Sequence, residues 1–135
     1  MRSVAAIAVA GLIAASCQKG PTFDDFRRVV TGVAGPGARD CGMVPLNETN
    51  HRVLDCAKEA ISRKEAFSII VRRQGIDSEI FSGIAQSKDG EIWNVDWDSD
   101  VSGGSGSGSA MNRRRCVRIE FQASLYAHDS LQCVP

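Results

Sequence analysis

Several things the chain lacks narrow its function before anything it contains. Two histidines and one tyrosine occur in 135 residues, so side chains suited to proton transfer near neutrality are scarce. No Gly-x-Ser-x-Gly elbow and no His-Glu-x-x-His pair is present. His51 opens an expected helix and His128 falls in an expected turn, both ordinary exposed positions. Cysteines never stand in Cys-x-x-Cys spacing, which disfavours a zinc site. The Gly/Ser run at 101–112, "VSGGSGSGSAMN", lacks both Gly-x-x-x-x-Gly-Lys and Gly-x-Gly-x-x-Gly. It reads as a flexible connection rather than a phosphate cradle. Charge excess is missing too. The 16 basic and 16 acidic side chains cancel, unlike the basic balance of a general nucleic-acid binder. No cofactor motif is found, and no catalytic residue is assigned.

What is present begins with one apolar run. Arg2 is followed by an uncharged stretch, Val4 to Ala15, of Ala, Ile, Val, Leu and one Gly. A membrane span needs about 20 apolar residues, so this run is too short. A positive start, an apolar stretch and small residues beyond it make a signal peptide over residues 1–16. Its removal takes away Arg2 alone among charged side chains, leaving a net charge near −1.

The segment Ala14-Ala15-Ser16-Cys17 resembles the lipobox of bacterial lipoprotein precursors. Ala14 departs from that pattern, which usually has Leu there. The resemblance covers about the first 17 residues and says nothing of the domain. It implies cleavage before Cys17, acylation of that residue and a membrane anchor, each buried methylene contributing about 0.8 kcal/mol. Gln18, in place of an Asp, implies the outer membrane. The expected organisation is then a signal peptide at 1–16, a lipidated cysteine with tether and short helix at 17–38, and a domain at 39–135.

Five cysteines are an odd number for an exported protein. With Cys17 set aside, Cys41, Cys56, Cys116 and Cys133 can pair in three ways. Proximity in sequence favours Cys41–Cys56 with Cys116–Cys133. One objection concerns the second pair. If a strand runs unbroken from 115 to 125 and turns near His128, Cys116 ends roughly 25 Å from Cys133, at about 3.3 Å per residue. That bridge needs an earlier turn.

The pattern along the chain predicts an α+β domain. Thr22 caps a helix with Asp24 and Asp25 in its first turn and Phe23, Phe26, Val30 and Val33 at helical spacing. It either lies beside the tether or packs on the domain. A second helix is expected over 47–64, with Val53, Ala57, Ala60 and Ile61 on one face and Cys56 at its edge. The period then changes to two. Strands are expected at 66–74, 78–86 and 91–99, with Asp89-Gly90 as a hairpin turn. Trp93, Val95 and Trp97 alternate with Asn94, Asp96 and Asp98, so one face is packed and the other wet. A last long strand at 115–125 puts Val117, Ile119, Phe121 and Leu125 inward, and a short return occupies 130–134. The expected architecture is two N-terminal helices and then an antiparallel meander of four to five strands, one face covered by helix 47–64.

The sharpest chemical candidate is "DWDSD". Asp96, Asp98 and Asp100 match the first three ligand positions of a calcium loop. Val101 and Ser107 fail the positions that need Gly and Glu, so these three remain weak metal candidates. Straight along a strand, the carboxylates pair instead with Arg118 or Arg72. Five acidic residues lie between Asp89 and Asp100, and Arg113, Arg114, Arg115 and Arg118 follow. Such blocks pair across neighbouring strands, or form a basic patch for an anionic lipid or glycan. The reading that results is an envelope lipoprotein whose domain faces the periplasm and serves as a non-catalytic binding or accessory module for another envelope protein. The alternatives are a small hydrolase or ligand binder using residues 89–100, where Glu79, Glu91 and the aspartates would have to converge, or a soluble secreted domain.

Overall fold

Thr22 starts the first helix as its sequence requires. In the computed structural model, which describes residues 20–101 and 108–135, helix α1 spans Phe23–Ala34. The Thr22 hydroxyl accepts from the Asp25 N–H, while the Asp25 carboxylate accepts from the Thr22 backbone at 2.8 Å. This reciprocal box satisfies donors that a helix start leaves orphaned. The Thr22 backbone N–H, then its hydroxyl, and Arg28 more weakly hold the Asp25 carboxyl below the usual range. Its lowered pKa means the box is intact above about pH 4 and is lost as the pH falls through that pKa. Thr22→Ala should therefore cost about 1 kcal/mol at pH 7. Urea melts of wild type and Asp25→Asn should converge as the pH is lowered to the acid side; a difference constant with pH would contradict this origin.

The remaining elements are β1 (Arg39–Val44), α2 (Arg52–Ser62), β2 (Phe67–Arg73), β3 (Ile80–Gln86), β4 (Ile92–Asp98), β5 (Ala110–Cys116), β6 (Arg118–Phe121) and β7 (Leu131–Val134), with a 3-10 turn at Ala127–Asp129. The class is α+β, with a mixed five-stranded sheet in the order β1-β2-β3-β4-β5 and a separate β6–β7 pair. The all-antiparallel meander is thus corrected. β1 lies between the two helices and pairs parallel to β2, because α2 carries the chain back across the sheet as parallel pairing demands. Helix 47–64 is also shortened. Asn47 adopts a left-handed φ of 61°, and the helix starts only after His51, which occupies the N-cap.

The helices lie on opposite faces. Leu54, Ala57 and Ala60 of α2 pack with Val44, Phe67, Ile69, Val71 and Ile84, and Ala127 and Leu131 close that cluster. The face of Val95 and Trp97 is covered by the other helix: Phe26, Val30 and Ala34 of α1 pack with Phe81, Ala85, Val95 and Trp97. Of the two places open to the short helix within 17–38, α1 takes the one packed on the domain, and the chain is continuous with the domain from Pro21 onward. The Pro21 carbonyl accepts from Trp97 Nε1 at 2.8 Å and from Ser109 Oγ at 2.5 Å.

The C-terminal region departs most from expectation. The strand begun at Ala110 ends at Cys116, and Val117 is 75% exposed. Beyond this break β6 pairs antiparallel with β7, placing Ile119 opposite Cys133. The turn falls between Phe121 and Leu131, early enough to remove the distance objection. The disulfides are Cys41–Cys56 and Cys116–Cys133, with Cα atoms 5.6 and 5.4 Å apart. Ile119 and Phe121 pack against the α2-side cluster, whereas Val117 and Leu125 point outward.

Candidate functional site

The acidic strand lies on the α2 side of β4, and its carboxylates are already engaged. Asp96 accepts from the Ser82 hydroxyl at 2.5 Å and stands 3.9 Å from Arg114 of β5. Asp98 accepts from the Asp100 N–H at 3.0 Å, closing a local turn. The expected partners Arg72 and Arg118 pair elsewhere, with Glu79 and Glu120. Register decides this: Asp96 faces Asn112 directly, with Arg114 two residues along the same strand face. Among the described residues, no three His, Cys, Asp or Glu side chains gather as a metal site would require. Glu79 and Glu91 lie at opposite ends of the β3–β4 hairpin, so they do not converge with each other; Glu79 stands beside Ser99 at the Asp98 end, with its carboxylate paired to Arg72. Cys17 and residues 102–107 of the Gly/Ser run lie outside the described residues.

Arg113, Arg114 and Arg115 lie within β5, which begins at Ala110, earlier than the expected strand at 115. Arg113 stacks over Trp93 at 4.0 Å from the ring centroid, and Arg115 meets Glu91 at 3.1 Å. The sheet edge is thus lined by bulky cations, an arrangement that discourages edge pairing. Half-buried Arg73 joins the two layers, donating to the carbonyls of His128 and Leu131. Burial draws its pKa down, opposed by the charges of Asp96 and Asp129. His128 is not exposed as expected. It is 5% accessible, its Nδ1 accepts from the Asn47 N–H at 3.2 Å, and Tyr126 stacks on its ring. Its role is to pin residues 45–48 to the C-terminal turn.

A concave feature lies at the opposite edge, between α1 and β1. Phe23, Met43 and Ile70 supply apolar lining, and Arg27, Thr31, Asp40 and Ser68 supply polar groups. Its volume is about 160 Å³. The local sequence makes it. Register between β1 and β2 slips between Asp40 and Met43, Gly42 takes a φ of 89°, and its N–H donates to Asp40 Oδ1 at 2.9 Å. This bulge bends the edge strand and leaves Met43 47% exposed beside Ile70. On the facing helix the Thr31 hydroxyl donates to the Arg27 carbonyl at 3.0 Å. The cleft was not legible in the sequence, because β1 itself was not.

Small-molecule sites usually measure about 300–1,000 Å³. This cleft is nearer the roughly 150 Å³ that accepts a benzene-sized group. It fits one apolar side chain with hydrogen-bonding groups around it. No family model, no curated protein and no solved structure matches this chain.

Proposed function

We propose that this protein is a bacterial envelope lipoprotein, anchored through Cys17, whose periplasmic domain is a non-catalytic binding module for another envelope protein. The observation that carries the reading is the cysteine pairing. Four cysteines are consumed by two disulfides, and Cys17 is the one left over, at the position where the lipobox resemblance expects acylation. Oxidised cysteines accord with an exported domain. The outer membrane is the destination favoured by Gln18.

The α1–β1 cleft is the proposed contact site. Its size suits a single anchoring side chain, the usual centre of a protein–protein interface. The acidic-strand alternative is less supported, since Ser82 and Arg114 already engage Asp96.

Two measurements test this reading. The intact mass of envelope-extracted protein should equal residues 17–135 plus acyl groups, less four hydrogens. An unmodified mass would remove the anchor. A photo-crosslinker at Asp40, on the cleft rim, should give one discrete protein adduct in intact envelopes. Met43→Asp places a charge on the apolar lining and should reduce that adduct at least about tenfold, the loss of one hot-spot contact. An equal yield in the Met43→Asp variant would sink the cleft assignment.

A further inference from the structure

We propose that the end of the domain bearing Pro21 rests on the lipid surface holding Cys17, with Ile76, Val101, Leu125 and Tyr126 entering the headgroup layer. The proposal rests on the lipid-anchor reading above and specifies the orientation that an anchor there imposes.

The topology gathers these four side chains at one end. Arg73, Ile80, Asp98 and Ala110 lie in one row across the sheet. The β2–β3 turn with Ile76 and the start of the β4–β5 connection with Val101 therefore project from the same end. Arg73 brings the 122–130 connection there through the His128 and Leu131 carbonyls, and Leu125 and Tyr126 belong to that connection. Pro21 is fixed at this end too, by Trp97 and Ser109.

The tether is short. Four peptide units separate Cys17 from Pro21, at most about 14 Å when fully extended. An acylated Cys17 then holds this end against the headgroups, and the opposite end, with Val117 and the 87–91 turn, faces away.

The distribution of exposed apolar side chains matches that orientation. Among the described residues six large hydrophobics are exposed, and Ile76 at 99%, Leu125 at 71%, Val101 at 57% and Tyr126 at 37% are four of them. Met43 belongs to the cleft, and Val117 alone sits at the far end. Single exposed apolar residues are ordinary on a protein surface. Four of six at the tethered end are what a shallow interfacial contact uses, and a tyrosine suits the headgroup level. The same end carries Asp77, Glu79, Asp98 and Asp100 against Arg72, which pairs with Glu79, and the half-buried Arg73, so its remaining charge is acidic and a zwitterionic surface suits it better than an anionic one.

The test uses lipidated full-length protein in phosphatidylcholine/phosphatidylethanolamine vesicles containing brominated acyl chains. Ile76→Trp, Leu125→Trp and Val117→Trp each add a fluorophore at an exposed site, and wild type gives the baseline from Trp93 and Trp97. The expected result is loss of the added emission in Ile76→Trp and Leu125→Trp, with none in Val117→Trp. Equal quenching of all three, or of none, in protein whose mass shows the acyl groups would overturn the orientation while leaving the anchor standing. An unmodified mass would overturn both. Replacing part of the zwitterionic lipid with phosphatidylglycerol should weaken quenching at Ile76; stronger quenching would contradict the charge argument.

Discussion

Reduction of both disulfides should unfold the domain at 37 °C. The bridges span 15 and 17 residues, and closing a loop of that length is worth about 3 kcal/mol in the chain-entropy model. Two such terms amount to roughly 6 kcal/mol against the 5–15 kcal/mol that typically separates folded from unfolded. The two bridges also do different things. Cys41–Cys56 joins the bulged edge strand β1 to α2. Cys116–Cys133 joins the end of β5 to β7, securing a two-stranded sheet that would be marginal alone. Replacing each pair with serines should lower stability by about 2–4 kcal/mol in urea melts. The Cys116/Cys133 variant should first lose hydrogen-exchange protection in β6 and β7, and the Cys41/Cys56 variant in β1. Reduced protein that melts like the oxidised form would show that the two apolar clusters suffice without the bridges. Dependence on oxidation would confine correct folding to an oxidising compartment.

The elements legible in the sequence are those whose signals are local. Thr22, Asp24, Asp25 and the spacing of Phe26 and Val30 announce α1 (Phe23–Ala34), and the alternation through Trp93, Val95 and Trp97 announces β4. Three features were hidden, each for a physical reason. Strand β1, "RDCGMV", is six residues long with a glycine at its bulge, so neither alternation nor β-propensity marks it. Strand β5, "AMNRRRC", is masked by consecutive arginines. Their reasons for being there, Trp93 and Asp96 of β4 and Glu91 just before it, belong to a neighbouring part of the sheet. The break at Val117 is hidden because apolar alternation continues through it to Ile119 and Phe121. His128 looked exposed because its backbone partner, Asn47, is 81 residues away in sequence. Proximity in sequence favours the disulfide pairing, and it forms because the chain reverses between Phe121 and Leu131 while the break at Val117 brings Cys116 beside Cys133. Missing β1 had the largest consequence, since both the parallel pairing and the α1–β1 cleft depend on that strand.

Gly83→Val should destabilise the protein by at least about 3 kcal/mol, beyond the 1–3 kcal/mol typical of overpacking by a methylene. Gly83 lies mid-strand in β3, where a β-branched residue would ordinarily be favoured. Its register partners are Ile70 and Val95, and the face it would fill is occupied by α1. A Cβ placed there would collide with Val30 Cγ2 and come within 3.2 Å of Phe26 Cζ. Val30 and Phe26 are fully buried and cannot turn aside, so the helix must lift. Gly83→Ala should cost about 1–3 kcal/mol by the same mechanism. A double-mutant cycle separates this from a general loss of strand quality. Val30→Ala alone leaves a cavity and destabilises, but combined with Gly83→Ala it makes room for the new methyl. The double variant should then be more stable than the sum of the singles by more than the 0.5 kcal/mol scatter of independent sites, about 1 kcal/mol or more. Additive costs would mean that α1 does not press on Gly83. The consequence extends to function, because α1 contributes Phe23, Arg27 and Thr31 to the cleft and leads directly back to Pro21. Displacing α1 should abolish the Asp40 crosslink while both disulfides still form, since neither bridge involves that helix.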